Sequence, residues 1–414
     1  MKEKIAVIGL GYVGLPLALK LSEFFNTIGF DKDPLRINEL TSGLDKNGDF
    51  EYDVLNSSKI SFSSDSKALK DSSIFIVTVP TPVDEDHEPD LTPLENACNF
   101  VGKNLSKGNL VIFESTVYPG CTEDYCGPIL ERISGLTKGK DFNLGYSPER
   151  INPGDKNNRI EKITKIVSGD NKDTLERISS IYEKIIRAGL YKAESIKVAE
   201  ASKLTENIQR DVNIALMNEL SEVFEEMNIR TSDVLEAANT KWNFIPFRPG
   251  LVGGHCIGVD PYYLISAAKN KGINTPLLNV SRAVNEATVD RVIKYIKSQD
   301  EKGDKKILIM GLTFKEDCND FRNSKSLEIA KRLSNEHKID LMDPNIENDK
   351  SFLASHKFVD SFQAGPYDII IFAVKHKQFN NFSFKKLKEI LSPQGKIVDL
   401  TCTFKIPENE GFSL

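Results

Sequence analysis

Short apolar runs bounded by glycine, proline and polar residues recur along this chain, and they fall into two similar sets. In the first, Lys4–Ile8 reads as a strand, followed by a glycine turn, a helix from about Val13 to Phe25 and a second strand over Thr27–Asp31. Ser73–Val79 and Asn109–Glu114 continue the series, with Phe142–Gly145 a weaker strand. Such runs, apolar throughout rather than alternating, suit parallel strands covered on both faces. Lys46–Asp53 and Asp84–Asp90 read as solvated loops without assignable chemistry. Between Ser195 and Met227 the apolar positions 201, 204, 208, 212, 215, 216, 220, 223 and 227 follow helical spacing. That helix is longer than usual in a globular domain, and it is expected to link two domains and to pair with its twin in a dimer. The second set then parallels the first. KILIMGLT (306–313) matches KIAVIGLG in outline, IDLMDPN (339–345) matches IGFDKDP, DIIIFAVKH (368–376) matches SIFIVTVPT, and KIVDLT (396–401) adds a strand. The pattern predicts an α/β protein with two doubly wound sheets and a helical connection.

The first turn is Gly9-x-Gly11-x-x-Gly14, between strand and helix. Glycines there let the backbone turn tightly, approach a pyrophosphate and pack the helix on the sheet, while the helix N-terminus offers N–H groups to phosphate. The spacing alone is a weak signal. Asp31 strengthens it, because a carboxylate at the end of the second strand binds ribose hydroxyls and repels a 2′-phosphate. NAD is therefore expected rather than NADP, a preference that nearby Lys32 and Arg36 temper. The second set has Gly311 but no triplet, so a second dinucleotide site is not expected.

A length of 414 residues suits two to three domains. Lys+Arg 54 against Asp+Glu 60 gives a net charge of −6, which disfavours nucleic acid as a partner. The apolar start is broken by Gly9, Gly11 and Gly14 and has no small-x-small cleavage site, so a secretory leader is not expected. No stretch approaches the roughly 18 apolar residues of a membrane span. Six cysteines without a C-x-x-C pair, and five scattered histidines, predict neither a disulfide framework nor a metal site. A reduced, metal-free cytoplasmic enzyme is the expected class.

The densest chemistry lies in Phe247–Tyr262. Cys256 follows Gly253 and Gly254, so bare backbone is expected to open it to a substrate, and Asp260 is a candidate acid/base or water-positioning group. His255 is not the expected partner of the thiol, because neighbours on a turn rarely point the same way. Burial is the commoner fate of cysteine and is expected for Cys98, Cys121, Cys126, Cys318 and Cys402. On the long helix, Lys203, Asn207 and Arg210 fall within about 60° of one another, a polar stripe that fits either a solvated face or the lining of a cleft. A hydride acceptor together with a cysteine nucleophile suggests a definite reaction. An alcohol becomes an aldehyde, a thiolate adds to it, and loss of a second hydride leaves a thioester for water to cleave.

In order along the chain stand G-L-G-Y-V-G-L-P, V-P-T-P, Ser115-Thr116, S-P-E-R (147–150), E-A-S-K-L-T-E-N (200–207), G-G-H-C-I-x-V-D-P (253–261) and G-L-T-F-K-E-D-x-x-D-x-R-x-S (311–324). Together they resemble the UDP-glucose/GDP-mannose dehydrogenase family over nearly the whole chain. The resemblance implies three domains: an NAD-binding Rossmann domain (1–190), a central helical dimerisation domain with the cysteine loop (191–300), and a Rossmann-like UDP-sugar domain (301–414). It also implies residue roles. Cys256 is the nucleophile, Lys203 and Asn207 stabilise the developing oxyanion, and Asp260 works with Lys203 and a water in proton transfer. Glu149 is the candidate base for thioester hydrolysis, and Thr116 holds the water or the nicotinamide. Gly9, Gly11, Tyr12, Val13, Gly14, Asp31, Arg36, Thr81 and Thr116 match the NAD shell, with Arg322 reaching the same cofactor. Phe314 and Lys315 resemble UDP or sugar contacts, and Arg210 and Gly253 belong to the same substrate set.

Departures bear on the substrate. Family members acting on UDP-glucose carry P-E-F-L-x-E where this chain has Pro148-Glu149-Arg150-Ile151-Asn152-Pro153, and Ser where it has His255. Its S-P-E-R-I-N-P-G-D and V-G-G-H-C-I-G-V-D-P-Y-Y resemble the branch acting on UDP-N-acetylhexosamines, and Arg150 with Arg248 are candidate donors to the acetamido oxygen. The expected activity is NAD-dependent oxidation of C6 of UDP-GlcNAc or UDP-GalNAc to the uronic acid, by a homodimer, for surface polysaccharide such as O-antigen or capsule. UDP-N-acetylmannosamine is the first alternative substrate and UDP-glucose the second. A non-catalytic NAD-binding scaffold or sensor is the non-enzyme alternative.

Overall fold

The computed structural model describes residues 3–48, 50–150, 160–299, 304–346, 357–359, 365–407 and 410–414. The chain divides into two compact units, Met1–Glu206 with Tyr262–Ile273, and Asn207–Pro261 with Asn274–Leu414.

The first unit holds β1 (Lys4–Ile8), β2 (Asn26–Phe30), β3 (Ser61–Ser63), β4 (Ile74–Val77), β5 (Asn109–Phe113), β6 (Phe142–Tyr146), β7 (Lys165–Gly169) and β8 (Leu190–Lys192). They lie in the order β3-β2-β1-β4-β5-β6-β7-β8. Pairing is parallel from β3 to β6 and antiparallel between β6 and β7. Neighbouring residues of one strand enter different cores. Ile5, Val7, Ile74, Ile76, Leu110 and Ile112 pack on one face, and Ala6, Ile8, Phe75, Val77, Val111 and Phe113 on the other. Burying one such large side chain stabilises by roughly 1.5–3 kcal/mol, so both faces favour apolar residues and the strand reads as an unbroken run.

The second unit repeats the plan with β9 (Lys306–Met310), β10 (Lys338–Met342), β11 (Lys357–Phe358), β12 (Tyr367–Phe372), β13 (Leu391–Asp399) and β14 (Gly411–Ser413). The order is β11-β10-β9-β12-β13-β14, parallel throughout. Ile307, Ile309, Ile369 and Ile371 face one core, and Leu308, Met310, Ile370 and Phe372 the other.

The long helix spans Ile196–Glu226. Within the second unit it is held to the helix Pro276–Ser298 by buried polar pairs: Arg282 with Asp211, and Asn218 Nδ2 donating to Asn285 Oδ1 at 2.9 Å. Sequence patterning misses β3, β7, β8, β11 and β14, which are short or partly polar. The segment read as a loop over Lys46–Asp53 ends in a helical turn, Tyr52–Ser57. Among the described residues no helix is long and apolar enough to cross a membrane.

Candidate active site

The glycine turn begins where β1 ends. Gly9 has φ +95, which favours glycine, and its carbonyl accepts the Thr78 hydroxyl at 2.7 Å. A Cβ on Gly14 would lie 1.8 Å from the Gly9 carbonyl oxygen, whereas one on Gly11 would meet nothing within 4 Å. Gly14 is thus required by the helix–sheet contact, and Gly11 leaves room beside the turn. No side chain caps the following helix, Gly14–Ser22, at Val13, so the open space adjoins a helix N-terminus suited to phosphate.

Asp31 shapes this turn as well as facing it. Its Oδ2 accepts the Leu10 amide at 2.9 Å and its Oδ1 the Asp33 amide at 3.0 Å. Arg36, which with Lys32 tempers the preference for NAD, is held by groups of the protein. Its Nε donates to the Leu10 carbonyl at 3.1 Å and its guanidinium pairs with Asp45 at 2.8 Å, the two side chains 12% and 0% exposed. Tyr12, Val13, Thr81 and Thr116 are half-buried in the loops that follow β1, β4 and β5. The residues present therefore fit NAD.

The first unit also brings Glu149, Arg150 and Lys203 together. Lys203 Nζ donates to the Glu149 carbonyl at 3.0 Å, and Arg150 donates to the Lys203 carbonyl at 3.0 Å while pairing with Glu206. Three contributors have no signal in the sequence: Glu114, Lys165 and Tyr182 form a buried polar network with Glu149. Glu200 is a fourth. Its carboxylate accepts the Gly120 and Thr122 amides at 2.5 and 2.9 Å, tying the long helix to the loop after Thr116, and burial pushes its pKa up to about 7.

The second unit holds the thiol. Cys256 is exposed, while Cys98, Cys121, Cys126, Cys318 and Cys402 are buried, as expected. The glycines before Cys256 also permit a contact within the protein that the sequence did not suggest. A Cβ on Gly254 would lie 2.5 Å from the Phe314 ring, and one on Gly253 2.6 Å from the Asn323 carbonyl, so both permit close packing on the 311–324 loop. Asp260 opens the helix Asp260–Lys269; its amide donates to the Cys256 carbonyl at 2.8 Å and its Oδ2 accepts Asn207 Nδ2 at 2.5 Å. Three of the expected catalytic positions thus meet within this unit.

His255 turns to Asp320, with Nε2 2.8 Å from Oδ2. Arg322 also donates to that carboxylate, at 3.0 and 2.6 Å. Burial alone would raise the Asp320 pKa, but the hydrogen bonds from His255 and Arg322 outweigh it and hold the carboxyl well below the usual range. Lys315 Nζ lies 5.4 Å from the Phe314 ring centroid, and Arg248 is exposed. The expectations placed on Ile151, Asn152 and Pro153 fall outside the described residues. No group of three or more His, Cys, Asp or Glu side chains able to hold a metal occurs among the described residues.

A dinucleotide cradle, a repeated doubly wound sheet and an exposed thiol near an Asn–Asp pair fit the class of dinucleotide-dependent dehydrogenases. Comparison with known proteins places it more closely. Three models of the UDP-glucose/GDP-mannose dehydrogenase family match in order: the NAD binding domain over residues 3–186, the central domain over 197–287 and the UDP binding domain over 308–405. The chain belongs to this family and is an NAD-dependent nucleotide-sugar dehydrogenase. It is 46% identical over 412 residues to the UDP-N-acetyl-D-glucosamine 6-dehydrogenase of Pseudomonas aeruginosa, covering 97% of each chain. It is 45% identical over 408 residues to the enzyme of that name from Salmonella typhi, covering 96% of this chain and 95% of the other. Among solved structures, the UDP-D-ManNAc dehydrogenase of Pyrococcus horikoshii matches with a TM-score of 0.87 at 28% identity, covering 99% of this chain and 98% of that one.

Two glycine variants separate packing from cofactor approach. Gly14→Ala is expected to destabilise by about 1–3 kcal/mol through overpacking, seen as a lower melting temperature. Gly11→Ala should leave the melting temperature unchanged or slightly raised and weaken NAD binding in a titration. In a second test, Asp45→Ala releases Arg36, and the ratio of NAD to NADP affinity should fall.

Proposed function

We propose that this protein oxidises the C6 hydroxyl of UDP-GlcNAc or UDP-GalNAc to the carboxylate, using two NAD. Identity of 45–46% over nearly the full chain to two UDP-N-acetyl-D-glucosamine 6-dehydrogenases carries the reading. NAD, when bound, accepts the two hydrides. The protein supplies the rest. Cys256 thiolate adds to the C6 aldehyde to give a thiohemiacetal, removal of its C6 hydrogen as the second hydride leaves a thioester, and water releases the acid and the thiol. Lys203 and Asn207 donate to the oxygen that gains charge. Asp260, hydrogen-bonded to Asn207, works with Lys203 and a water in moving protons, and Glu149 is the base for thioester hydrolysis. Thr116 holds the water or the nicotinamide.

Around these, Gly9, Gly11, Tyr12, Val13, Gly14, Asp31, Arg36, Thr81, Thr116 and Arg322 bind NAD. Arg150, Arg210, Arg248, Gly253, Phe314 and Lys315 bind the UDP-sugar, with Arg150 and Arg248 directed at the acetamido group. Residues 1–190, 191–300 and 301–414 are the proposed domains. The long helix is the proposed dimer contact, supported by exposed apolar residues along it: Val198 at 45%, Leu216 at 48% and Val223 at 47% exposure. The absence of any disulfide among six cysteines supports a cytoplasmic location. The product is proposed to enter a bacterial surface polysaccharide. UDP-N-acetylmannosamine is the second reading, supported by the likeness to the Pyrococcus horikoshii enzyme at lower identity, 28%.

A purified-enzyme assay should yield two NADH per UDP-GlcNAc or UDP-GalNAc consumed; one NADH with free aldehyde would overturn the double oxidation. Faster turnover of UDP-N-acetylmannosamine or UDP-glucose would overturn the substrate assignment. Cys256→Ser should lower turnover by about three orders of magnitude or more while NAD still binds, and NAD binding without turnover of any of the four sugars by the native chain would point to a sensor.

A further inference from the structure

Glu149 sits in an electrostatic setting that its role as a base does not by itself require. Strand β7 runs antiparallel to β6, pairing Gly145 with Gly169 and Tyr146 with Ser168. Continued past the last pair, that register sets Lys165 opposite Glu149. Lys165 Nζ lies 2.7 Å from Glu149 Oε2, 2.9 Å from Glu114 Oε2 and 3.3 Å from the Pro148 carbonyl. The three side chains are 3%, 7% and 0% exposed for Lys165, Glu149 and Glu114. Tyr182, ending the helix Lys172–Tyr182, donates its hydroxyl to the other Glu114 oxygen. From the remaining sides, the Arg150 amide donates to Glu149 Oε1 at 2.5 Å and Lys203 holds the Glu149 carbonyl. The Arg150 guanidinium is engaged with Glu206 and the Lys203 carbonyl.

One buried ammonium thus serves two buried carboxylates. As a device for stability alone such a cluster is a poor choice, because desolvating its charges offsets much of their attraction. Its effect on protonation is direct. We infer that Lys165 is the positioning residue for Glu149, fixing its carboxylate and keeping it ionised, and that Glu114 divides the ammonium's influence between the two acids. This rests on Glu149 being the hydrolytic base. Two directions support the division. Burial pushes the Glu114 pKa up in spite of Lys165. Burial would lower the Lys165 pKa, but attraction to Glu114 and Glu149 outweighs it and raises it.

The test is the pH profile of kcat for the whole enzyme, with saturating NAD and UDP-GlcNAc. An opposite charge at this distance lowers a carboxylate pKa by about 1–3 pH units. Lys165→Met should move the acid limb up by about that amount. Glu114→Gln, which keeps the shape but gives the whole cation to Glu149, should move it down; it carries the test if the Met variant does not fold. A merely structural role predicts no such opposed shifts. Glu149→Gln is the reference. If it leaves turnover and the acid limb intact, Glu149 is not the base and the inference fails with that reading. If it abolishes the limb but Glu114→Gln does not lower it, the Lys165 inference alone is overturned.

Discussion

Parallel strands covered on both faces constrain everything else in this protein. Their side chains are taken up by two cores, so polar groups collect at the strand ends, and in doubly wound sheets the carboxyl ends form the crevice for ligands. The first unit follows this rule along its sheet. Gly9 follows β1, Thr81 follows β4, Glu114 and Thr116 follow β5, and Glu149 follows β6. The antiparallel pairing of β6 with β7 is what returns a lysine to the same edge.

The two sheets use one device and diverge in what surrounds it. Asp31 and Asp343 each follow the second strand of their sheet and accept the amide of the residue after the turn glycine, Leu10 at 2.9 Å and Leu312 at 2.6 Å. Each also accepts an amide two residues on, from Asp33 and Asn345. In the second sheet the buried His376 adds its Nε2 at 2.9 Å from Asp343 Oδ2, and Asn345 reaches its Nδ1 at 2.8 Å. Val374 closes on Gly311, where a Cβ would lie 2.6 Å from its backbone. The first turn keeps its glycine triplet with open space at Gly11, and the second has side chains of its own in the corresponding place.

Much of the fold was legible because core strands of a parallel sheet are apolar on both faces and stand out at any register. Lys4–Ile8 matches its predicted span, and the long helix matches to within a residue at each end. Edge strands β3 and β8, three residues each, have too little buried surface to leave such a pattern. In the site, legibility followed chain distance. The glycine turn and Asp31 lie within one βαβ unit, so spacing identifies them. Lys165 lies in a strand that the pattern does not reveal, and no local rule marks it as the partner of Glu114, 51 residues away.

The sequence by itself determined which residues are candidates for the chemistry: the cysteine after two glycines, the lysine and asparagine one turn apart on a helix, the acid that follows the second strand. It also determined the repeated sheet, because hydrophobic burial depends on period and period is local. Only the tertiary structure decided the partnerships. Asn207 meets Asp260, His255 turns to Asp320, Arg36 is drawn to Asp45 and Lys165 is set between two carboxylates. A hydrogen bond or ion pair between distant residues depends on where the loops and strands bring them within about 3 Å, and that distance is a property of the folded chain.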